Sequence, residues 1–569
     1  MADGGDTDEA KLKQPAGADS PCAALRKYAG AFSTRASVGG RRQRDGCSVK
    51  GVLKVSVIVP VYNPGAHIDD CIASLLGQSL APEEFEAIFV DDGSTDETPA
   101  RLDALAAEHP HVRVKHIPNS GWPGRPRNLG LEMARGKYVY FVDNDDWLGK
   151  DALRRLYTRA ERDDADVVIG KVVGEGKFVA RSLFKRDRRD VTLEWAPLVR
   201  LLTPHKLFRK ALLDEHGIRF PEGRRRLEDH VFVMHAYFHA RHISVLAGYP
   251  CYHWVRREEG DNASYAELEP AGYFGNVREV LDLIDEHVEP GPLRDRLRSH
   301  WYRSKMLGRV GGRNFVERDP VVRRPLYEEI RRLALERFGD EVDEHLAFNA
   351  RVRSRLLRAD DYQALELLAT FEAGLRTEAA LVELEPDEEG MALVIESRIV
   401  GDAGPLTFER DGERLLWVPP AALADRLEVP AREATADMDR NYADVLITSN
   451  RDGTEYLLRT DTATRLEPTG GGDLVSPVLT SRARMQPRVV VARANLKSGE
   501  WTVGVTAAAA GFTPPGVPVQ TGRWPLRVPL VITLTRDGRL VPPRLRGEVA
   551  RRFPRVTSAF RRAKAGSPG

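Results

Sequence analysis

Lys137-Tyr138-Val139-Tyr140-Phe141-Val142-Asp143-Asn144-Asp145-Asp146-Trp147-Leu148 is a near-continuous apolar run of strand length that ends in three carboxylates within four residues. A run this apolar and this short reads as a buried strand of a parallel sheet. Three acids at the end of such a strand repel one another. They are costly to keep ionised unless a cation or buried donors compensate them. Hard oxygen ligands at a strand's carboxyl end suit Mg²⁺ or Mn²⁺ carrying a phosphorylated substrate. Taken alone, the same residues also fit a solvated turn.

The flanking sequence decides between these. Upstream, Val55-Ser56-Val57-Ile58-Val59-Pro60-Val61-Tyr62 is a β-branched strand stopped by Asn63-Pro64-Gly65, a strong turn signal. Residues 66–78 carry Ile68, Ile72, Leu75 and Leu76 at helical spacing. Phe85-Glu86-Ala87-Ile88-Phe89-Val90 is a second strand running into Asp91-Asp92-Gly93-Ser94-Thr95-Asp96, whose short polar side chains suit the N-terminus of a helix over 98–108. Val112-Arg113-Val114-Lys115-His116-Ile117 is a third strand, and 126–135 a further helix. Strands alternating with helices predict an α/β domain with a mostly parallel sheet. Its ligand should lie beyond the strands' carboxyl ends. The loops 60–63, 91–93 and 143–146 converge there.

Val57-Ile58-Val59-Pro60-Val61-Tyr62-Asn63, Val90-Asp91-Asp92-Gly93-Ser94-Thr95-Asp96, Arg127-Asn128-Leu129-Gly130 and Phe141-Val142-Asp143-Asn144-Asp145-Asp146, in this order, resemble the family 2 inverting glycosyltransferases of GT-A fold. The resemblance covers roughly residues 54–265. It implies a nucleotide-sugar donor, a divalent metal (Mn²⁺ or Mg²⁺) and a direct displacement that inverts the anomeric carbon. By the same resemblance Asp145 is the direct metal ligand, and Asp143 lies beside it on the metal's waters or the ribose. Asp146 is structural or contacts the sugar. Pro60 and Tyr62 pack on the base, and Asp92 accepts a hydrogen bond from it, uracil in the commonest case. Arg127 offers the diphosphate a planar fork of donors, a surface ion pair being its bland reading. Asn119, in Pro118-Asn119-Ser120-Gly121, fits the donor site and a plain turn equally well.

Inversion needs a general base, because the attacking hydroxyl must lose its proton. Arg226-Leu227-Glu228-Asp229-His230-Val231-Phe232 lies about 85 residues beyond Asp143. The resemblance makes Asp229 the base, with Glu228 shaping the acceptor pocket. The segments Thr203-Pro204-His205-Lys206-Leu207-Phe208 and Phe220-Pro221-Glu222-Gly223 also match the family. Against this stand N-terminal capping of a helix over 231–240 and His230 as a rival base. Tyr252-His253-Trp254-Val255-Arg256-Arg257 resembles the family's aromatic and Arg segment. Arg257 is expected to close over the diphosphate, with Arg256 as its alternative, because Glu258-Glu259-Gly260-Asp261 disturbs the usual spacing. Residues 167–195, with the basic run 185–189, are expected to shape the acceptor side and to favour an anionic acceptor.

The rest of the chain bounds the function further. It has 569 residues, 42% hydrophobic and 30% charged, the composition of a globular protein of several domains. With 85 basic and 84 acidic residues, global charge gives no case for nucleic acid as partner. Cys22, Cys47, Cys71 and Cys251 are scattered, as in a reducing compartment. No apolar run is long enough to span a bilayer, so a cytoplasmic protein is expected, at most peripheral at the inner face of the membrane. The expected organisation is a leader over 1–50, the GT-A domain over 51–270, a helical linker over 271–377, a β-sandwich or two small immunoglobulin-like units over 378–545, and a basic tail over 546–569. Asp411-Gly412, Asp452-Gly453 and Asp537-Gly538 are hairpin signals in the β region. That region is read as a module for polymer binding or homo-oligomerisation, and the tail as solvated or lying on an anionic surface. This order of units also resembles the wall-teichoic-acid glycosyltransferases that act on poly(ribitol phosphate), a polymeric, anionic acceptor. The alternatives are a transferase for another polysaccharide or a lipid-linked sugar, and a non-catalytic sugar- or polymer-binding protein on the same fold.

Overall fold

The computed structural model describes residues 53–541 apart from 176–178, 180–181, 185, 195–197, 257–268, 388–389, 452–454, 486–498, 522–527, 530 and 535–539. The leader, the basic tail, Cys22, Cys47, Arg257, the turns at 452–453 and 537–538 and an expected strand at 489–492 lie outside the described residues.

The first sheet is built as the apolar runs demand. Strands β1 (Val55–Val61) and β2 (Phe85–Asp91) are buried at every position, and β4 (Tyr138–Phe141) likewise. Strand β1 pairs in parallel with β2 on one side and β4 on the other, and β3 (Val112–His116) extends the parallel half beyond β2. Helices α1 (Ile68–Leu76), α2 (Thr98–Glu108) and α3 (Gly124–Met133) are the crossovers. The N-cap residue of α2 is Glu97, without a side-chain cap, rather than one of the short polar residues expected there; Asp96 Oδ1, one residue earlier, accepts from Thr98 N at 3.0 Å. Helix α3 lies so close to β1 that a Cβ on Gly130 would stand 2.3 Å from Ile58 Cγ2. Past β4 come β5 (Trp147–Leu148), α4 (Ala152–Asp163), β6 (Val167–Glu175), β7 (Leu207–Arg209), α5 (Lys210–Glu215), α6 (Glu228–His239) and β8 (Ile243–Val255). The strand order is β3-β2-β1-β4-β7-β6-β8-β5. Strand β7 runs antiparallel to both neighbours, so the sheet is mostly rather than wholly parallel. Cys71 and Cys251 are buried in this core.

Helices α7 (Pro270–His287), α8 (Pro292–Trp301), α9 (Arg313–Val316), α10 (Pro320–Arg337), α11 (Phe348–Arg358) and α12 (Tyr362–Ala373) form the helical layer. A π-helical turn, Tyr302–Met306, follows α8. No helix among the described residues is long and apolar enough to cross a membrane.

Two almost wholly antiparallel sheets follow, with nine and six described strands. Chain order interleaves them: Leu474–Met485 belongs to the larger sheet, Tyr442–Ser449 before it and Gly499–Ala508 after it to the smaller. They are therefore one two-sheet unit rather than two consecutive immunoglobulin-like units. The turn at Asp411-Gly412 does join a hairpin, with Gly412 at φ 64°. An aromatic cluster seats this unit on the helices. Trp417 lies with ring centres 5.8 Å from Phe348 and 5.4 Å from Phe371, both helical, and 5.5 Å from Phe512.

Candidate active site

The carboxyl ends of β1, β2 and β4 open onto a cleft of about 920 Å³. Its lining includes Pro60, Tyr62, Asp92, Asn119, Arg127, Asp143, Asp145, Glu228 and Asp229. The fold thus brings together every site residue expected from the sequence that lies among the described residues; Arg257 lies outside them. Arg256 is described, exposed and not part of the lining.

Two of these residues are fixed by local hydrogen bonds. Asp92, 4% exposed, accepts from Ser120 N and Ser120 Oγ, each at 2.8 Å. Burial pushes its carboxyl up, against the pull of those donors. Asn119 Oδ1 accepts from Gly121 N at 2.7 Å, so it makes its turn and lines the cleft as well. The three acids after β4 divide sharply. Asp146, 1% exposed, accepts from Tyr252 Oη at 2.5 Å and Val255 N at 2.9 Å, which ties β8 to the loop. Burial, then the charges of Asp145 and Asp143, hold its pKa well above the carboxylate range. Asp146 thus braces the loop, and of these three acids Asp143 and Asp145 belong to the lining.

Glu228 and Asp229 do not precede their helix; they form its first turn. The chain enters through Leu227 at φ 64°, a left-handed conformation costly for a branched residue and typical of functional sites. Arg127 bridges the two acid sets. Its guanidinium, 4% exposed, donates to Asp229 Oδ1 at 2.7 Å and Asp143 Oδ1 at 2.9 Å, with Glu228 Oε1 at 3.7 Å. The fork expected to meet a diphosphate is engaged by the protein's own carboxylates. Desolvation in the cleft, although 26% of the side chain remains exposed, pushes the Asp229 carboxyl up to about 7. Arg127 opposes that rise, while Glu228 and Asp143 add to it.

His230 is a poor rival as base. Trp301 Nε1 donates to His230 Nδ1 at 3.2 Å, which occupies the one lone pair of a neutral imidazole. Burial also holds its pKa well below the usual range.

Sequence reasoning gave no role to several residues of this cleft. His205 stacks on Tyr252 (3.9 Å between ring centres, 19°), and burial pulls its pKa down to about 4. Its Nδ1 faces the Phe141 carbonyl at 3.4 Å, which can only accept, so Nε2 carries the lone pair. That Nε2 lies 3.6 Å from Asp143 Oδ2, two acceptors face to face. A cation between them resolves the conflict: ligand atoms of Asp143, Asp146 and His205 lie within 4.8 Å of one another, a fitting donor set for one. Behind the lining, Lys206, fully buried, donates to the Thr203 carbonyl, and burial draws it down to about 7. Lys305 and Arg309, from the helical layer, line the cleft with Arg224 and Arg226. No local pattern marks them, since they arrive by tertiary packing. By contrast, the described residues of 167–195 lie outside the lining. Arg188 pairs by its backbone with Val245 of β8, and Asp187 pairs with Arg159 of α4.

Comparison with known proteins agrees with this geometry. Residues 56–241 match the model of glycosyl transferase family 2, and 270–369 match that of the glycosyl transferase TarS linker domain. Poly(ribitol-phosphate) beta-glucosyltransferase of Bacillus spizizenii is 38% identical over 41% of this chain and 37% of its own length. Poly(ribitol-phosphate) beta-N-acetylglucosaminyltransferase TarP of Staphylococcus aureus is 32% identical over 41% of this chain and 72% of its own. The crystal structure of S. aureus TarS 1–349 in complex with UDP-GlcNAc superposes with a TM-score of 0.51 at 28% identity, covering 60% of this chain and 96% of that one. The match thus spans about two fifths of the first of these relatives and nearly three quarters of the second.

Proposed function

The chain belongs to glycosyl transferase family 2, and on that premise we propose that it moves a sugar from a UDP-sugar to a hydroxyl of a polyanionic polymer of the poly(ribitol phosphate) kind, with inversion at the anomeric carbon. What carries the reading is Asp229: a carboxyl raised to about 7, held by Arg127 opposite the acids that end β4. A base of that pKa is half ionised at neutral pH and strong enough to take a hydroxyl proton as the new bond forms.

The donor base packs on Pro60 and Tyr62, whose ring is 50% exposed at the rim. Asp92, buttressed by Ser120, presents an acceptor to the base. Asp229 removes the acceptor's proton while the oxygen attacks the anomeric carbon, and the bond from that carbon to the diphosphate breaks on the opposite face. Arg127 keeps the Asp229 carboxylate oriented and lowers its basicity toward neutrality. Glu228 beside it shapes the acceptor side. Asp143, Asp146 and His205 offer a divalent ion one ligand atom each, with Asp145 also in the lining, and the imidazole favours Mn²⁺ over Mg²⁺. When bound, the ion offsets the charge of the departing diphosphate.

An anionic acceptor is supported by Arg224, Arg226, Lys305 and Arg309 on one lining and by the acceptor in the names of both relatives. Those names divide between glucose and N-acetylglucosamine, so the decisive assay offers UDP-glucose and UDP-N-acetylglucosamine with Mn²⁺ and poly(ribitol phosphate). A β-linked product from the α-configured donor is expected. Asp229→Asn should bind donor normally and transfer about 10²–10⁴-fold more slowly. An α-linked product, or an Asp229→Asn enzyme of full activity, would end this reading.

A further inference from the structure

Away from the cleft, three imidazoles meet where the catalytic domain joins the helical layer. His235 and His239 are four residues apart on α6, so they share one face. His287 is the last residue of α7, which packs alongside. The ring centres are 5.2 Å apart for His235–His239, 5.3 Å for His235–His287 and 5.2 Å for His239–His287. A nitrogen of each ring lies within 4.8 Å of the other two. A zinc–nitrogen bond of about 2.0–2.1 Å, extended by roughly 1.1 Å to the ring centre, puts three tetrahedrally bound imidazoles about 5.2 Å apart, centre to centre. The observed triangle has that size.

His287 is already oriented for such a role. Its Nδ1 donates to the Leu283 carbonyl at 3.0 Å, and its ring stacks on Phe238 (4.8 Å, 11°). A carbonyl only accepts, so the proton sits on Nδ1 and the lone pair on Nε2. A backbone carbonyl holding the far N–H is the usual support of a metal-bound histidine. All three residues are half-buried, within reach of an ion from solvent. Burial draws both His235 and His239 below their usual pKa, toward the neutral form that ligates. His216 stacks flat on His239 (3.9 Å, 16°), so it offers the cluster a ring face rather than a nitrogen.

We propose that His235, His239 and His287 form a binding site for a borderline divalent transition ion, Zn²⁺ foremost, that ties α6 to α7. An all-nitrogen set suits zinc, nickel or copper and not the oxygen-seeking Mg²⁺ or Mn²⁺. The site shares no residue with the cleft. It closes the far end of the helix whose first turn is Glu228-Asp229, and so fixes that helix against the layer that delivers Lys305 and Arg309.

The test uses the full, tag-free chain stripped by chelator, in an Asp143→Asn background that removes one carboxylate of the Asp143, Asp146 and His205 group in the cleft. Titration calorimetry with Zn²⁺ should find one equivalent bound, and the melting temperature should rise with Zn²⁺ but not with Mn²⁺. His235→Gln or His287→Gln should each weaken Zn²⁺ binding at least tenfold. With all three histidines intact, Co²⁺ should give the intense visible absorption of tetrahedral coordination, a readout independent of whether a variant folds. Zn²⁺ binding equal in the triple His→Gln variant, a weak octahedral Co²⁺ spectrum, or no binding would each overturn the proposal.

Discussion

Arg127 is the residue on which the cleft's electrostatics turn. It touches Asp143 on one side and Asp229 on the other, so it sets the basicity of one while holding the position of both. In the free enzyme, kcat/KM should fall about tenfold per pH unit below about 7, because only ionised Asp229 accepts the proton. Arg127→Met removes the cation that opposes the rise of Asp229. Its acidic limb should move to higher pH by roughly 1–3 units, read from the pH–rate profile. An unmoved limb would mean that another group titrates. The Arg127 position was legible from its motif; its partners were not. A planar fork suits carboxylate and phosphate alike, and only the fold put two carboxylates within its reach.

Among the elements, α3 shows how a motif serves packing and chemistry together. Asn128, one residue beyond Arg127, is 6% exposed. Its Nδ2 donates to the Phe220 carbonyl at 2.8 Å, and its Oδ1 accepts from Phe220 N at 2.9 Å. This pins the loop whose Phe220 stacks on Phe232 of α6 (3.9 Å, 3°). Asn128→Ala leaves both buried backbone groups unpaired, at about 1–3 kcal/mol each. A fall in unfolding stability of about 2–6 kcal/mol is expected in urea denaturation, with activity lost only as far as α6 shifts. The strands and helices around this loop followed from β-branched runs and helical spacing. In the C-terminal region the strand Arg459–Pro468 escaped that reading. It alternates exposed and half-buried residues with almost no apolar side chains, and it owes its place to pairing with Leu474–Met485.

At the scale of the molecule, the helical layer serves the cleft on one side and carries the two-sheet unit on the other. Lys305→Gln with Arg309→Gln should raise KM for an anionic polymer about tenfold and weaken its salt dependence, while donor binding is unchanged. Steady-state kinetics at two ionic strengths read this directly. On the far side, Trp417 is fully buried among Phe348, Phe371 and Phe512. Arg351 of α11 reinforces the contact through Asp437, at 2.7 Å. Trp417→Ala should cost about 3–5 kcal/mol and split thermal unfolding into two transitions by calorimetry, as the sheets come away from a catalytic half that still binds donor.

By itself the sequence determined the α/β order, the sheet whose strand ends carry acids, and the residue types that gather there. Strand and helix periods, turn residues and a motif are local, and a few adjacent side chains write them completely. The tertiary structure decided the partners of each acid: Asp146 bonds to Tyr252 and Val255, while Asp143 and Asp229 share Arg127 across the cleft. It also brought Lys305 and Arg309 to the cleft and His287 to His235 and His239. Those pairings depend on distances between groups far apart in the chain, and burial and charge at such distances have no local signature.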